Sequence, residues 1–276
     1  MKKILKIQIQ LLFVCFAIGA TAQNNSNYEV IKNVPYYAQN IRDTNAYIKE
    51  QCLLDIYKPI GKTKAPVIVW FHGGGLTGGT KSIPKELLDY GYEIVSIEYR
   101  LSPRVKAPGY IEDAAAGTAW VFSNIEKYGG NARQIFLSGH SAGGYLDLMI
   151  GLENKWLAKY GISTDSIAGL LPLSPQVITH YTIRDENGIS KYQPLIEGYA
   201  PIYHIKKNTP PIVLITGDRE MELLGRYEEN AYFFRMMKLI ENKHVKLFEL
   251  EGLDHGEMMQ PGISLLMKEI GSILKK

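Results

Sequence analysis

The sequence predicts an α/β protein, with a mostly parallel central sheet and helices on both faces. Three observations predict it. Continuous apolar runs at residues 66–71, 167–173 and 211–216 have the length and composition of strands buried on both faces. Stretches of helical composition alternate with such strands along the chain, the pattern of a parallel sheet wrapped by helices. Finally, the apolar run at 135–138 leads into Gly139-His140-Ser141-Ala142-Gly143-Gly144. Gly-x-Ser-x-Gly after a strand marks a tight strand-to-helix turn that projects its serine from the tip.

Each element follows in order. Residues 51–57 (Gln-Cys-Leu-Leu-Asp-Ile-Tyr) read as an early strand closed by Lys58-Pro59. The strand at 66–71 precedes a helical stretch at 82–90, with Pro84 near its first turn. Another strand covers 92–99. A longer helix spans 111–127, with Trp120 and Phe122 among its apolar residues and Gly129-Gly130 beyond its end. After the Gly-x-Ser-x-Gly turn come the strands at 167–173 and 211–216, a helix at 228–241, a last strand at 245–250 and an amphipathic closing helix at 263–274. Residues 174–209 are irregular, carrying Pro175, Pro194, Pro201 and the tyrosines Tyr181, Tyr192, Tyr199 and Tyr203. A loop this long in a compact domain is usually functional, and it reads as an insertion over the end of the sheet where the serine lies. There is no internal repeat and no low-complexity linker.

Residues 1–22 read as a secretory signal peptide, leaving 23–276 as a single domain. Lys2, Lys3 and Lys6 make a basic start, residues 11–18 a short apolar run, and Ala20-Thr21-Ala22 a small-residue cleavage site before Gln23. The expected location is therefore periplasmic or extracellular, with no stable membrane insertion. The whole chain has 31 basic and 28 acidic residues, a net charge of +3. The leader holds three of the lysines and no acid, so its removal leaves a balanced chain with no nucleic-acid footprint. Cys52 is the one cysteine outside the leader. It has no partner for an internal disulfide and reads as a small buried hydrophobe.

The turn at Ser141 lifts a hydroxyl next to a helix N-terminus, where backbone amides can face a developing negative charge. That makes Ser141 a candidate nucleophile of a serine hydrolase. Directly after the strand at 66–71 stands His72-Gly73-Gly74-Gly75. Successive glycines let N–H groups approach a substrate oxygen, so Gly74, Gly75 and Ala142 are the expected oxyanion-hole donors, with His72 orienting the loop. A general base is expected after the last strand, and His255 in Leu253-Asp254-His255-Gly256 is the histidine so placed. An acid that orients it is expected after the strand at 211–216, where Gly217-Asp218-Arg219-Glu220 offers Glu220 and Asp218. Glu220 is preferred, three residues beyond the strand-ending glycine. Asp254 is set aside because neighbours in an extended loop point apart.

These residues resemble a known group. His72-Gly73-Gly74-Gly75, Glu98-Tyr99-Arg100-Leu101-Ser102-Pro103, the Gly-His-Ser-Ala-Gly turn and Leu253-Asp254-His255-Gly256 resemble the α/β-hydrolase fold carboxylesterases. The similarity is to the hormone-sensitive-lipase-like members and the bacterial acetyl- and feruloyl-esterase-like group, and it runs from about Leu53 to the C-terminus. It implies an α/β-hydrolase fold, a serine esterase of short-chain or aryl carboxylic esters, and a structural role for Asp113. Two departures stand out. His140 replaces the usual aspartate before the serine, as in acetyl-esterase and kynurenine-formamidase-like branches. Residues 23–50 lack the helical periodicity of a lipase-like cap, which suggests an open site suited to sugar polymers or their fragments, with acetyl or feruloyl groups as the acyl part.

The expected reaction is acyl transfer to water through an acyl-serine, with no metal or organic cofactor. Rival readings are an arylformamidase, a prolyl-oligopeptidase-like serine hydrolase, whose propeller-sized extra domain is missing here, and a non-catalytic binding relative.

Overall fold

The computed structural model describes residues 27–275. The expected leader at 1–22, its cleavage site and Cys15 lie outside the described residues. Eight strands form one sheet: β1 (Tyr28–Pro35), β2 (Leu53–Pro59), β3 (Ala65–Phe71), β4 (Glu93–Ile97), β5 (Gly130–His140), β6 (Gly169–Leu173), β7 (Ile212–Gly217) and β8 (Val245–Leu250). Their spatial order is β1-β2-β4-β3-β5-β6-β7-β8. From β4 to β8 every pairing is parallel, and β1 and β2 pair antiparallel at one edge.

Alternation along the buried strands separates two cores, as the pleat requires. In β3, Val67, Val69 and Phe71 point into one core with helices α3 (Gly109–Asn124), α4 (Ala142–Leu152) and α7 (Arg226–Leu239). Ile68 and Trp70 point into the other, where Ile263, Leu266 and Ile270 of α8 (Met259–Ile273) cover the opposite face. The parallel sheet with helices on both faces agrees with the sequence reading. Among the described residues no helix is long and apolar enough to cross a membrane.

Three elements depart from the expectation. Residues 82–90 form a single 3-10 turn, Lys85–Asp89, instead of an α-helix. The segment before the first expected strand is ordered as β1, α1 (Gln39–Thr44) and α2 (Ala46–Gln51). α2 takes up Gln51, so β2 starts only at Leu53. The irregular stretch at 174–209 contains α6 (Tyr181–Glu186) and a 3-10 turn, Pro201–His204, with α5 (Lys155–Ala158) just upstream of it.

Asp113 on α3 is fully buried and anchors the edge strands to the core. It accepts from Arg100 Nε at 2.7 Å, Arg100 Nη2 at 2.8 Å and the Tyr37 hydroxyl at 2.8 Å. Cys52 is fully buried, and burial followed by the nearby Asp113 carboxylate pushes its thiol well above the ordinary range.

Glu93 opens β4 inside the sheet with neither carboxylate oxygen paired. Burial pushes it up to about 7, against the pull of Lys58. The folded state thus favours the protonated acid, a contribution present below the ordinary carboxylate range and lost as pH rises through about 7. Stability is expected to fall by up to about 3 kcal/mol between pH 4 and pH 8 from this group alone. Denaturant melts of Glu93→Gln across that range check it: the variant should be less pH-sensitive and more stable than wild type at pH 8. Equal pH slopes would remove Glu93 as the cause.

Candidate active site

The site is built at the C-terminal ends of β3, β5, β6, β7 and β8. At the end of β5 the chain reverses in one residue into α4. Ser141 takes φ +56° and ψ −115°, a conformation that L residues rarely adopt and that functional turns retain. Its amide donates to Leu173 O at 2.9 Å and its carbonyl accepts from Tyr145 N at 3.0 Å, which pins the turn to β6 and to the helix. The glycines on either side permit the close approach. A Cβ at Gly143 would lie 2.0 Å from Phe71 O, and one at Gly139 would lie 2.5 Å from the same atom. Strand, turn and helix therefore rest directly on the end of β3.

That contact brings the loop after β3 beside the serine. A Cβ on Gly73 would stand 3.6 Å from Ser141 Cβ. Gly74 and Gly75 follow with φ of +108° and +65°. Among the described residues the amides of Gly74, Gly75 and Ala142 donate to no protein acceptor; Ala142 follows the serine directly, and the two glycines continue the loop whose Gly73 packs against it. His72 holds the loop from beneath. Its Nε2 lies 2.8 Å from Glu98 Oε1 and its Nδ1 lies 2.7 Å from Gly73 O. Its ring stacks flat on Tyr99 at 4.3 Å, and the Tyr99 hydroxyl donates to His72 O at 2.7 Å.

His255 sits in the loop after β8. His140 Nε2, one residue before the serine, donates to His255 O at 2.9 Å, and the two rings lie 4.5 Å apart. Burial and the neighbouring His255 push His140 down to about 4, so it is a neutral strut between the base loop and the turn. His255 Nδ1 lies 2.8 Å from Glu222 Oε2 and 2.9 Å from Ser174 Oγ. A carboxylate at Nδ1 draws the ring proton there and leaves Nε2 as the bare nitrogen.

The acid facing His255 is Glu222, which corrects the expectation of Glu220 or Asp218. After β7 the loop turns back on itself: Met221 N and Glu222 N both bond Asp218 O, at 3.0 and 2.9 Å. This turn swings Glu222 under the base, with its side chain 1% exposed. Glu220 projects to solvent. Asp218 is consumed in the loop itself, accepting from Glu220 N at 2.8 Å and Gly252 N at 2.7 Å. Asp254 caps the start of the next turn through Gly256 N and Glu257 N. Burial alone would raise the Glu222 carboxyl. Hydrogen bonds from His255, Ser174 and Gly217 N outweigh it and bring it down to about 2, so it stays ionised.

Sequence reasoning missed Ser174. It follows β6 directly, is fully buried, and takes φ +45°. Its hydroxyl reaches His255 and Glu222 together, while the buried Arg226 holds its carbonyl. A serine closing a buried strand next to the acid-bearing strand was the available signal.

Residues 54–166 match the BD-FAE family. Over 90% of the chain superposes on known esterase structures: a truncated carbohydrate esterase from gut microbiota, with a TM-score of 0.73 at 19% identity, covers 91% of this chain and 98% of that one. The propionate-bound esterase 2 of Thermogutta terrifontis gives 0.69 at 20% identity, covering 91% and 96%. The chain has the α/β-hydrolase fold. In sequence, the chain is 25% identical to Esterase LipC of Mycobacterium tuberculosis over 229 residues, 74% of the chain. The match takes in 56% of LipC's length, so the chain spans about half of that relative.

Proposed function

We propose that this α/β hydrolase is an exported serine esterase of short-chain or aryl carboxylic esters, including acetyl or feruloyl groups on plant polysaccharide fragments. What supports the reading is that the Ser141 turn, tied through His140 to the loop of the His255–Glu222 pair, and the glycine loop packed against it lie at the same edge of the sheet. Ser141 Oγ attacks the ester carbonyl, and His255 Nε2 takes its proton and returns it to the leaving alcohol. Glu222 holds the imidazole and stabilises its cation. The amides of Gly74, Gly75 and Ala142 meet the oxyanion, each typically worth about 3 kcal/mol of barrier. Water then repeats the sequence on the acyl-serine. The same residues run the whole cycle.

A cleft of about 460 Å³ beside the Gly74–Gly75 loop is lined by Thr77, Ser102, Pro103, Tyr181, Asp185 and Lys191. Tyr192 and Tyr203 of the insertion are 71% and 62% exposed, each a ring on which a sugar or phenolic ring can stack. The gut carbohydrate esterase and the propionate-bound neighbour are in keeping with a short acyl group.

The test is a panel of p-nitrophenyl esters from acetate to laurate beside acetylated and feruloylated oligosaccharides. Acetate or feruloyl substrates are expected to exceed laurate at least tenfold in kcat/KM. A preference for laurate would overturn the substrate class. Export is checked by cell fractionation and by the mass of the secreted chain, which should begin at Gln23.

A further inference from the structure

Position 75 is glycine next to an unusually placed phenol. A Cβ built on Gly75 would lie 1.9 Å from Tyr181 Oη, so the hydroxyl occupies the space where a side chain would begin. Among the described residues no protein group hydrogen-bonds that hydroxyl, and it stands against Gly75, whose own amide donates to no protein acceptor.

The ring is held in place from several sides. Tyr181 N donates to Gln176 Oε1 at 2.9 Å, and its ring packs 4.4 Å from His180. His180 is fully buried, and its Nδ1 accepts from Thr182 N at 3.2 Å. The Thr182 hydroxyl in turn donates to Gly75 O. The insertion thus grips the glycine loop through one residue and lays a free phenol against it through the next.

We infer that Tyr181 is a further catalytic residue, whose hydroxyl donates a hydrogen bond to the oxyanion that forms on attack by Ser141. The inference rests on the serine-esterase reading and deepens it: the insertion supplies a donor to the reacting oxygen, in addition to any wall for the substrate. A phenol O–H aimed at the developing charge in a partly enclosed site lowers the barrier without tightening the ground state, the signature of an oxyanion donor.

The test compares wild type, Ser141→Ala and Tyr181→Phe on p-nitrophenyl acetate, together with inhibition by phenylboronic acid, whose tetrahedral serine adduct mimics the intermediate. Tyr181→Phe keeps the ring and removes the donor. It is expected to lower kcat by about a hundredfold with KM within about threefold, and to weaken boronate inhibition by a similar factor. Tyr181→Leu, which removes the donor and leaves the glycine loop's backbone unsubstituted, is expected to show the same loss of kcat and boronate affinity and serves should Tyr181→Phe fold poorly. A Tyr181→Phe enzyme with wild-type kcat and boronate affinity overturns the inference while leaving the esterase reading intact. A loss confined to KM assigns Tyr181 to substrate packing and also overturns it. A wild-type protein that neither hydrolyses esters nor depends on Ser141 brings down both.

Discussion

Ser141→Ala is expected to lose on the order of a million-fold in kcat on aryl esters and to stop reacting with fluorophosphonate probes, with its thermal midpoint unchanged. The expectation is large because the proposed mechanism has one nucleophile. The deprotonating nitrogen, the acid behind it and the three amides all act on the bond that Ser141 Oγ makes. Folding should survive because the turn is fixed by backbone contacts: Ser141 N to Leu173 O at 2.9 Å, and its carbonyl to Tyr145 N at 3.0 Å. Glycines 139 and 143, which allow the close approach, are untouched. Some rate above the uncatalysed reaction should remain, from the amides and from substrate binding. If the alanine variant retained more than about a tenth of wild-type turnover, Ser141 would not be the nucleophile.

The second large effect falls on Glu222. Glu222→Gln is expected to reduce kcat about ten-thousandfold, whereas Glu220→Gln and Asp218→Asn should stay within about threefold of wild type. The amide is nearly isosteric, so the loss is electrostatic. An –NH₂ group presented to His255 Nδ1 favours the tautomer with the proton on Nε2, the nitrogen that must be bare to accept the serine proton. The imidazolium formed during attack also loses its counter-charge. Because the Glu222 carboxyl lies at about 2, acidification to pH 4 leaves it ionised, and any activity lost there belongs to another group. Steady-state assays of the three variants decide the matter: a silent Glu222→Gln beside an inactive Asp218→Asn would return the role to the earlier position.

The pattern of what the sequence disclosed follows from where the physical signal is local. The buried strands β3, β5, β6 and β7 are apolar without interruption, and the serine turn announces itself through glycines that a backbone contact demands. β1 gave no such signal. It is an edge strand with Glu29, Val30, Lys32 and Asn33 exposed and a register break between Ile31 and Val34, so neither alternation nor burial marks it. The 82–90 segment has helical residues but only enough packing, through Leu87, for one 3-10 turn. The acid was mislocated because counting from Gly217 treats the loop as extended. The loop instead coils on Asp218 O, and two residues of displacement put a different carboxylate under the base. Ser174 is marked in sequence only by its place after a buried strand, and Tyr181 reaches the glycine loop through a tertiary contact that no local spacing encodes.

Cys52 carries a practical consequence. Among the described residues it is the single thiol, and it is sealed where α2 gives way to β2, under the antiparallel edge that Asp113 ties down. Alkylation there must wait for that edge to peel away, so the time course of maleimide uptake is an intrinsic stopwatch for detachment of the N-terminal border, readable without adding any label to the protein.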